Sequence, residues 1–457
     1  MSSPTSLGLP QNSDISYKRI FGIAFPIILS SLAQNLISLA DTIFLGNLGE
    51  VQLGAAALAV IFYQVVYMTV FGFGVGAQIM MARRLGQGQK HAIGRIFQHA
   101  LWFCLAAALL CWILYQFFGE NLIFSMVHTE ETGRAVLDYL NVRVYGFPFA
   151  FACVAFNAFY VGIARTRNIS IATLVMGVVN VVLDYVLVFG VWGFPRMEMA
   201  GAALASVIAE ICGLLTYILL TWFSGHRKTY SSFRRFPLQI KLVGSLLQLS
   251  YPVMIQYFLS FANYFLFFLF IESLGQHALA IANITRSMYV LFLIPTWGFA
   301  STTATLTSYL CGQGRTGDIM TVVKRCLLLV TICVSVIVAL YLPFNRQVLG
   351  IFTKDAQLAA ESLAPSLVAI LATYLMGVAQ VVFNTILGRG RTKAGFFIEF
   401  ANMVLYFLYG WIFIYIGHCS VAVAFGTEVC YTLGLLFISL GYIAIMRKRG
   451  KLDAAAV

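Results

Sequence analysis

Residues 26–49 read PIILSSLAQNLISLADTIFLGNLG, and residues 252–275 read PVMIQYFLSFANYFLFFLFIESLG. Each run opens on a proline, closes on Leu-Gly and is apolar over a length that crosses a hydrocarbon core of about 30 Å at 1.5 Å rise per residue. They lie 226 positions apart. The same offset places Gly72-Phe73 on Gly298-Phe299, Gly86-Gln87-Gly88 on Gly312-Gln313-Gly314, and Arg165-Thr166 on Arg391-Thr392. Several landmarks in one register indicate a duplicated chain whose halves begin alike.

Apolar runs of this length recur twelve times, near 21–45, 55–81, 96–118, 136–160, 169–191, 199–223, 246–271, 279–309, 322–342, 364–387, 396–416 and 421–446. An all-α integral membrane protein follows, with twelve transmembrane helices in two six-helix lobes related by pseudo-two-fold symmetry. The expected division is a tail over 1–20, an N-lobe over 21–223, a polar linker over 224–245, a C-lobe over 246–446 and a tail over 447–457. Composition agrees: 60% of the 457 residues are hydrophobic and 10% charged, against roughly 25% charged in soluble domains. The mean hydropathy is +0.87.

The net charge of +12 falls in short clusters between spans, which argues against a nucleic-acid surface. Of the 29 Lys and Arg residues, most alternate onto one side: Lys18 and Arg19, Arg83 to Arg95, Arg165 and Arg167, Arg227 to Lys241, Arg315 to Arg325, Arg389 to Lys393, and Arg447 to Lys451. By the positive-inside rule both termini are cytoplasmic, in the plasma (inner) membrane of the cell. No cleavable signal peptide is expected, because the first apolar run is too long for one. Nine cysteines without Cys-x-x-Cys spacing read as small apolar fillers.

Three strings join the first stretch in resembling the multidrug and toxic compound extrusion (MATE) family: Leu85-Gly-Gln-Gly88, Asn180-Val-Val-Leu-Asp184 and Gly201-Ala-Ala-Leu-Ala-Ser206. The resemblance covers nearly the whole chain. It implies two six-helix lobes in a V shape and secondary active efflux, exchanging protons or sodium ions for organic cations or amphipathic drugs by alternating access. It also implies that Pro26 marks a bend in the first helix and that Gln34, Asp41, Asn157, Asn180 and Asp184 line an N-lobe cavity. Pro26 removes one backbone hydrogen bond and so permits a kink; simply opening the helix near its cytoplasmic end accounts for it equally well.

Ionisable groups inside a span cost several kcal/mol unless they face a partner or a wet cavity. Asp41 and Asp184 are placed roughly 6 to 10 Å inside the outer ends of their spans at 1.5 Å per residue. Asn180 stands one helical turn from Asp184, Gln34 two turns from Asp41, and Ser206 reaches a similar depth on the sixth span. Two carboxylates, an amide oxygen and a hydroxyl suit a small cation or a shared proton. Asp41, Asn180, Asp184 and Ser206 are therefore the expected coupling residues. Alternatives stay open: Asp41 and Asp184 as interfacial groups, Asn180 and Gln34 as ordinary interhelical hydrogen-bonding residues, Ser206 as packing.

The duplication sets Phe267 opposite Asp41 and, with Asn180 on Asn402, Tyr406 opposite Asp184. The second half keeps Asn384 opposite Asn157 and lacks both acids. That pattern points to an N-lobe ion site and to the DinF-like branch, although Glu399 is not explained by it. Phe258, Phe261, Tyr264, Phe265 and Phe268 offer an apolar surface for flat cations, or face lipid. Arg143 and Arg286, near span ends, are expected to snorkel; Glu210, Glu399 and Glu428 are either paired or interfacial.

Gly72-x-Gly74-x-x-Ala77 follows no strand, so close helix packing is preferred to dinucleotide binding. No Gly-x-x-x-x-Gly-Lys-Ser/Thr string occurs, and the six histidines form no i, i+4 pair. No enzymatic role, no cofactor, and no metal beyond possible Na+ at the coupling site are expected. The expected partners are cationic or amphipathic small molecules and the bilayer, not nucleic acid, and the expected state is a monomer. The competing functional class is a lipid or lipid-linked oligosaccharide flippase of the related superfamily, whose cavity should carry Arg or Lys where this one carries acids. A channel or sensor without coupled export is the third.

Overall fold

The computed structural model describes residues 15–126, 129–234, 236–353 and 355–450; the side chains at 50, 51, 53, 126, 261, 262, 264, 265, 351 and 356 lie outside that set. Those of Phe261, Tyr264 and Phe265, proposed above as an apolar surface, are therefore not described.

Among the described residues twelve helices are long and apolar enough to cross a membrane. They are α1 Tyr17–Gly46, α2 Glu50–Gly86, α3 Lys90–Met126, α4 Glu130–Gly162, α5 Arg167–Phe189, α6 Glu198–Phe223, α7 Ile240–Glu272, α8 Gln276–Gly312, α9 Ile319–Tyr341, α10 Leu363–Gly388, α11 Thr392–Ile416 and α12 Val421–Lys448. Every expected span is present. Several helices, α2, α3 and α8 at both ends, run about a turn further than the apolar runs, because they continue into polar loops that composition alone excludes. α4 passes through a 3-10 turn at Val144–Gly146 ahead of Pro148, and α11 ends in a π-helical stretch, Gly410–Ile416. Large apolar side chains such as Leu109, Phe117, Val178, Leu340 and Phe397 remain exposed, as a bilayer solvent requires. All nine cysteines are free, and each is buried or half-buried.

Two compact units divide the chain. In its described part, one spans Leu29–Met254, and the other joins the chain up to Ile28 to the stretch from Ile255 onward. Each division falls two residues after the proline inside α1 or α7, Pro26 or Pro252. In the first unit the start of α7 packs on α2: a Cβ on Gly72 would meet Met254 Cα at 2.8 Å, and one on Gly76 would meet the Ser250 side chain. Ser250 Oγ donates to Phe73 O at 3.2 Å. In the second unit the start of α1 packs on α8, where a Cβ on Gly298 would approach Ile28 Cγ1 to 2.5 Å. The repeated Gly-Phe landmarks are thus repeated close contacts, and the Gly-x-Gly-x-x-Ala string lies wholly within α2 as a packing face.

The polar segment after α6 is docked. A short helix, His226–Tyr230, buries both terminal residues. A Cβ on Gly94 of α3 would collide with Tyr230 O. Gln98 donates to Phe236 O at 3.2 Å and accepts from Phe236 N at 3.0 Å, while Gln239 N donates to His99 Nε2 at 3.0 Å. Burial, with Arg165 nearby, holds the His226 imidazole down at about 4.

Candidate functional site

α5 and α6 pack extensively against one another, and small residues explain how. A Cβ on Gly201 would meet the Leu187 backbone at 2.8 Å; Ala202, Ala203 and Ala205 are all buried. The Gly201–Ser206 string thus lets α6 lie against α5 closely enough for Ser206 to reach Asn180. In one orientation of the amide, Asn180 Nδ2 donates to Ser206 Oγ at 3.3 Å. In the other, Nδ2 donates to Asp41 Oδ1 at 3.0 Å and to Asp184 Oδ2 at 3.3 Å. The Asn180 amide thus brings the two carboxyl groups, from α1 and α5, to one side chain.

The four expected coupling residues therefore meet, with Asn180 at the centre of helices α1, α5 and α6. Asp184 is fully buried and Asn180 nearly so, whereas Asp41 is half-buried. Asp184 Oδ1 has no hydrogen-bond partner among the described residues. The donor set is all oxygen apart from one amide nitrogen, which suits a proton or a hard monovalent cation. Among the described residues there is no group of three or more His, Cys, Asp or Glu side chains fit to hold a metal ion.

The other expected cavity residues are not in that cluster. Gln34 is exposed on α1. Asn157 is half-buried on α4. Pro26 lies inside an unbroken α1. Phe258 is exposed and Phe268 packs on a core cluster around Phe267.

The snorkelling expected of Arg143 and Arg286 is replaced by buried ion pairing. Arg143 donates to both Glu210 oxygens, at 2.8 and 2.5 Å. The Tyr63 ring stacks under its guanidinium at 3.8 Å, and Tyr63 Oη donates to Glu210 Oε1 at 3.0 Å. Arg286 likewise donates to Glu428 at 2.5 Å. Burying either cation alone would be prohibitive, and the acid on the neighbouring helix removes the need to reach the interface. The Arg143–Glu210 pair borders the acids: Tyr139, 5% exposed, senses Arg143, Glu210, Asp41 and Asp184 alike. Tyr63, Tyr139 and Glu210 were not named as part of the site's surroundings from sequence. The available signal was the presence of intramembrane acids and arginines in equal need of partners.

The MatE family model matches this chain over residues 26–186 and again over 252–412, the two repeated halves. The chain belongs to the MatE family. It is thus a membrane transporter rather than an enzyme. A relative from Thermotoga maritima, "Probable multidrug resistance protein NorM", is 24% identical over 436 residues, covering 93% of this chain and 89% of its own. A MATE crystal structure in complex with MaL6 superposes with a TM-score of 0.86 at 20% identity, over 98% of both chains. An outward-facing multidrug resistance MATE family transporter of the MOP superfamily also gives 0.86, at 18% identity over 99% of this chain and 100% of that one.

Proposed function

We propose that this MatE protein is a secondary antiporter of the DinF-like branch, exporting organic cations or amphipathic drugs against an inward flow of protons. The observation that carries the reading is the Asp41–Asn180–Asp184–Ser206 cluster, an intramembrane group of oxygen ligands whose two acids meet at one amide. The multidrug resistance named for the Thermotoga maritima relative supports the substrate class. The positive-inside pattern supports a multi-pass inner-membrane protein with both termini cytoplasmic, and the chain acts as a monomer without a cofactor.

Asn180 gives the coupling a physical form. When both acids are ionised, the amide nitrogen faces them as donor. When one acid takes a proton, its O–H can donate to the amide oxygen, and the nitrogen turns to Ser206. Occupancy of the site by one proton thereby decides whether the Asn180 nitrogen is held by the acids or by Ser206 of α6. Sodium suits the same oxygens; that no third acid joins the pair among the described residues favours the proton.

The test is drug uptake into inside-out vesicles under an imposed proton or sodium gradient. Wild type should accumulate drug with the proton gradient and lose it to a protonophore. Asp41→Asn and Asp184→Asn should each abolish accumulation at undiminished membrane abundance, because an amide keeps the shape and cannot be ionised at physiological pH. Normal transport by both variants rejects the site; strict sodium dependence at fixed pH and potential reverses the ion.

A further inference from the structure

The polar segment between α6 and α7 lies wholly within the first compact unit and meets it through three of the chain's six histidines. His91, at the start of α3, stands with Nδ1 3.0 Å from Ser231 Oγ. His99, about two turns further along α3, is fully buried. Its Nδ1 donates to Arg95 O at 2.7 Å, which leaves Nε2 to accept from Gln239 N at 3.0 Å. Gln239 is the last residue before α7, so this bond pins the entry to that helix.

The docked segment is under strain. Ser231 follows the short helix His226–Tyr230 with φ 55°, a left-handed backbone that a residue with a Cβ adopts at a cost. Such a conformation persists only while its surroundings hold it, and here they are the His91 contact and the seating of Tyr230 O against Gly94.

His226 differs from the other two imidazoles. It is 3% exposed, packed edge-on to Tyr160 of α4 at 5.9 Å between ring centroids and 6.0 Å from Tyr230. Neither of its ring nitrogens has a hydrogen-bond partner among the described residues. A neutral imidazole tolerates this apolar seat, whereas an imidazolium carries two N–H donors and a charge, and finds no acceptor for either.

No acid is at hand to meet that charge. Residues 51–119, 139–183 and 211–271 contain no Asp or Glu. The charged groups on the elements packed against His226 are Arg165 in the turn after α4, Lys90 and Arg95 on α3, and Arg227 and Lys228 on its own short helix. The other titratable groups there are His91 and His99 of α3, Tyr160 of α4, Tyr217 of α6 and Tyr230. A proton on His226 therefore adds a positive charge to a surface that is already positive.

We propose that the segment from His226 to Gln239 is a proton-operated latch, docked on α3 and α4 while His226 is neutral and released, together with the entry to α7, when His226 takes a proton. The latch faces the cytoplasm by the orientation proposed above; its operation does not depend on which ion drives transport. Burial beside Arg165 puts the docked ring at about 4 against an ordinary 6.5, so the docked state binds the proton less well than the released one. Docking is thus undiminished above 6.5 and weakens as pH falls from 6.5 toward 4. At about pH 5.5 the equilibrium should shift toward release several-fold, with a ceiling of roughly tenfold.

Hydrogen exchange of the full chain in nanodiscs reads this directly, each rate being divided by that of the same peptide without structure at the same pH. Between about pH 7.5 and 5.5, protection over residues 226–239 should fall several-fold in wild type, and residues 100–118 of α3 should keep theirs. His226→Phe, which fills the same seat and cannot be protonated, should keep its linker protection at both pH values. His99→Gln retains an oxygen that accepts from Gln239 N and leaves His226 in place, so most of the loss should remain; where His226→Phe does not fold, this variant and wild type decide. Equal protection at both pH values in wild type overturns the proposal, as does a wild-type loss in His226→Phe, the disappearance of the loss in His99→Gln, or a loss that spreads equally to residues 100–118.

Discussion

Asp41, Asn180, Asp184 and Ser206 of the first half have counterparts in Phe267, Asn402, Tyr406 and Glu428 of the second, the last three at one common offset of 222 positions. In the first half two acids and an amide meet, and no basic side chain is bonded to the acids among the described residues. In the second half a guanidinium fills the place. Arg286 stands 5.6 Å from the Phe267 ring centroid, and both it and Tyr406 Oη donate to Glu428 Oε1, at 2.5 and 3.2 Å. On the proposed reading one copy of the duplicated site takes an exchangeable charge, while the other carries its cation on the Arg286 side chain. The same ancestral geometry can therefore serve a moving ion or a fixed one, and which it serves depends on where the positive charge is attached.

The sharpest way to break this comparison is to unpair the fixed cation. Glu428→Gln leaves Arg286 buried without its acid, and removal of one partner of a buried pair costs about 3–5 kcal/mol. Thermal unfolding in detergent should show that loss, and Arg286→Met combined with Glu428→Met should recover most of it. A single variant as stable as wild type would mean that the second site also admits an exchangeable ion.

A smaller effect is expected from parting the helices of the first site. Gly201→Val forces Cγ atoms against the Leu187 backbone, an overpacking cost of about 1–3 kcal/mol. It should also draw Ser206 away from Asn180. Coupled uptake should therefore fall further than membrane abundance does; an equal fall in both assigns Gly201 to packing alone.

The least change is expected at Tyr406. Tyr406→Phe removes one hydrogen bond to Glu428 and leaves the Arg286 pair in place, a loss of about 1 kcal/mol. Transport should stay near wild type, in contrast to Asp184→Asn at the matching position. Abolished transport in Tyr406→Phe would show that the second site is not a fixed one.

The spans and the acids of the first site were legible because each depends on local information: hydrophobic length for the helices, and helical spacing for Asn180 and Asp184. Ser206 was legible by depth, and the Gly-Ala-Ala string beside it signalled the close approach that brings it to Asn180. What sequence could not assign was partnership across distance. Arg143 and Glu210 are separated by 67 positions, Arg286 and Glu428 by 142, and the sign of a charge does not say which opposite charge it meets. Snorkelling was the local answer for both arginines, and long-range packing overrode it. Glu399 illustrates the converse, since only the three-dimensional surroundings reveal that no arginine reaches it.

The division of the chain just after Pro26 and Pro252 bears on how the protein is made. α2 leaves the ribosome with a glycine face at Gly72 and Gly76 that stays uncovered until residues 250–254 have been synthesised. The first six spans accordingly insert well before their unit can be completed. Residues up to Ile28, translated first, wait for α8 and Gly298. Each half of the nascent chain holds the closing piece of the other, so a fragment ending in the segment after α6 should be short-lived when expressed by itself and rescued when the remainder is supplied in trans.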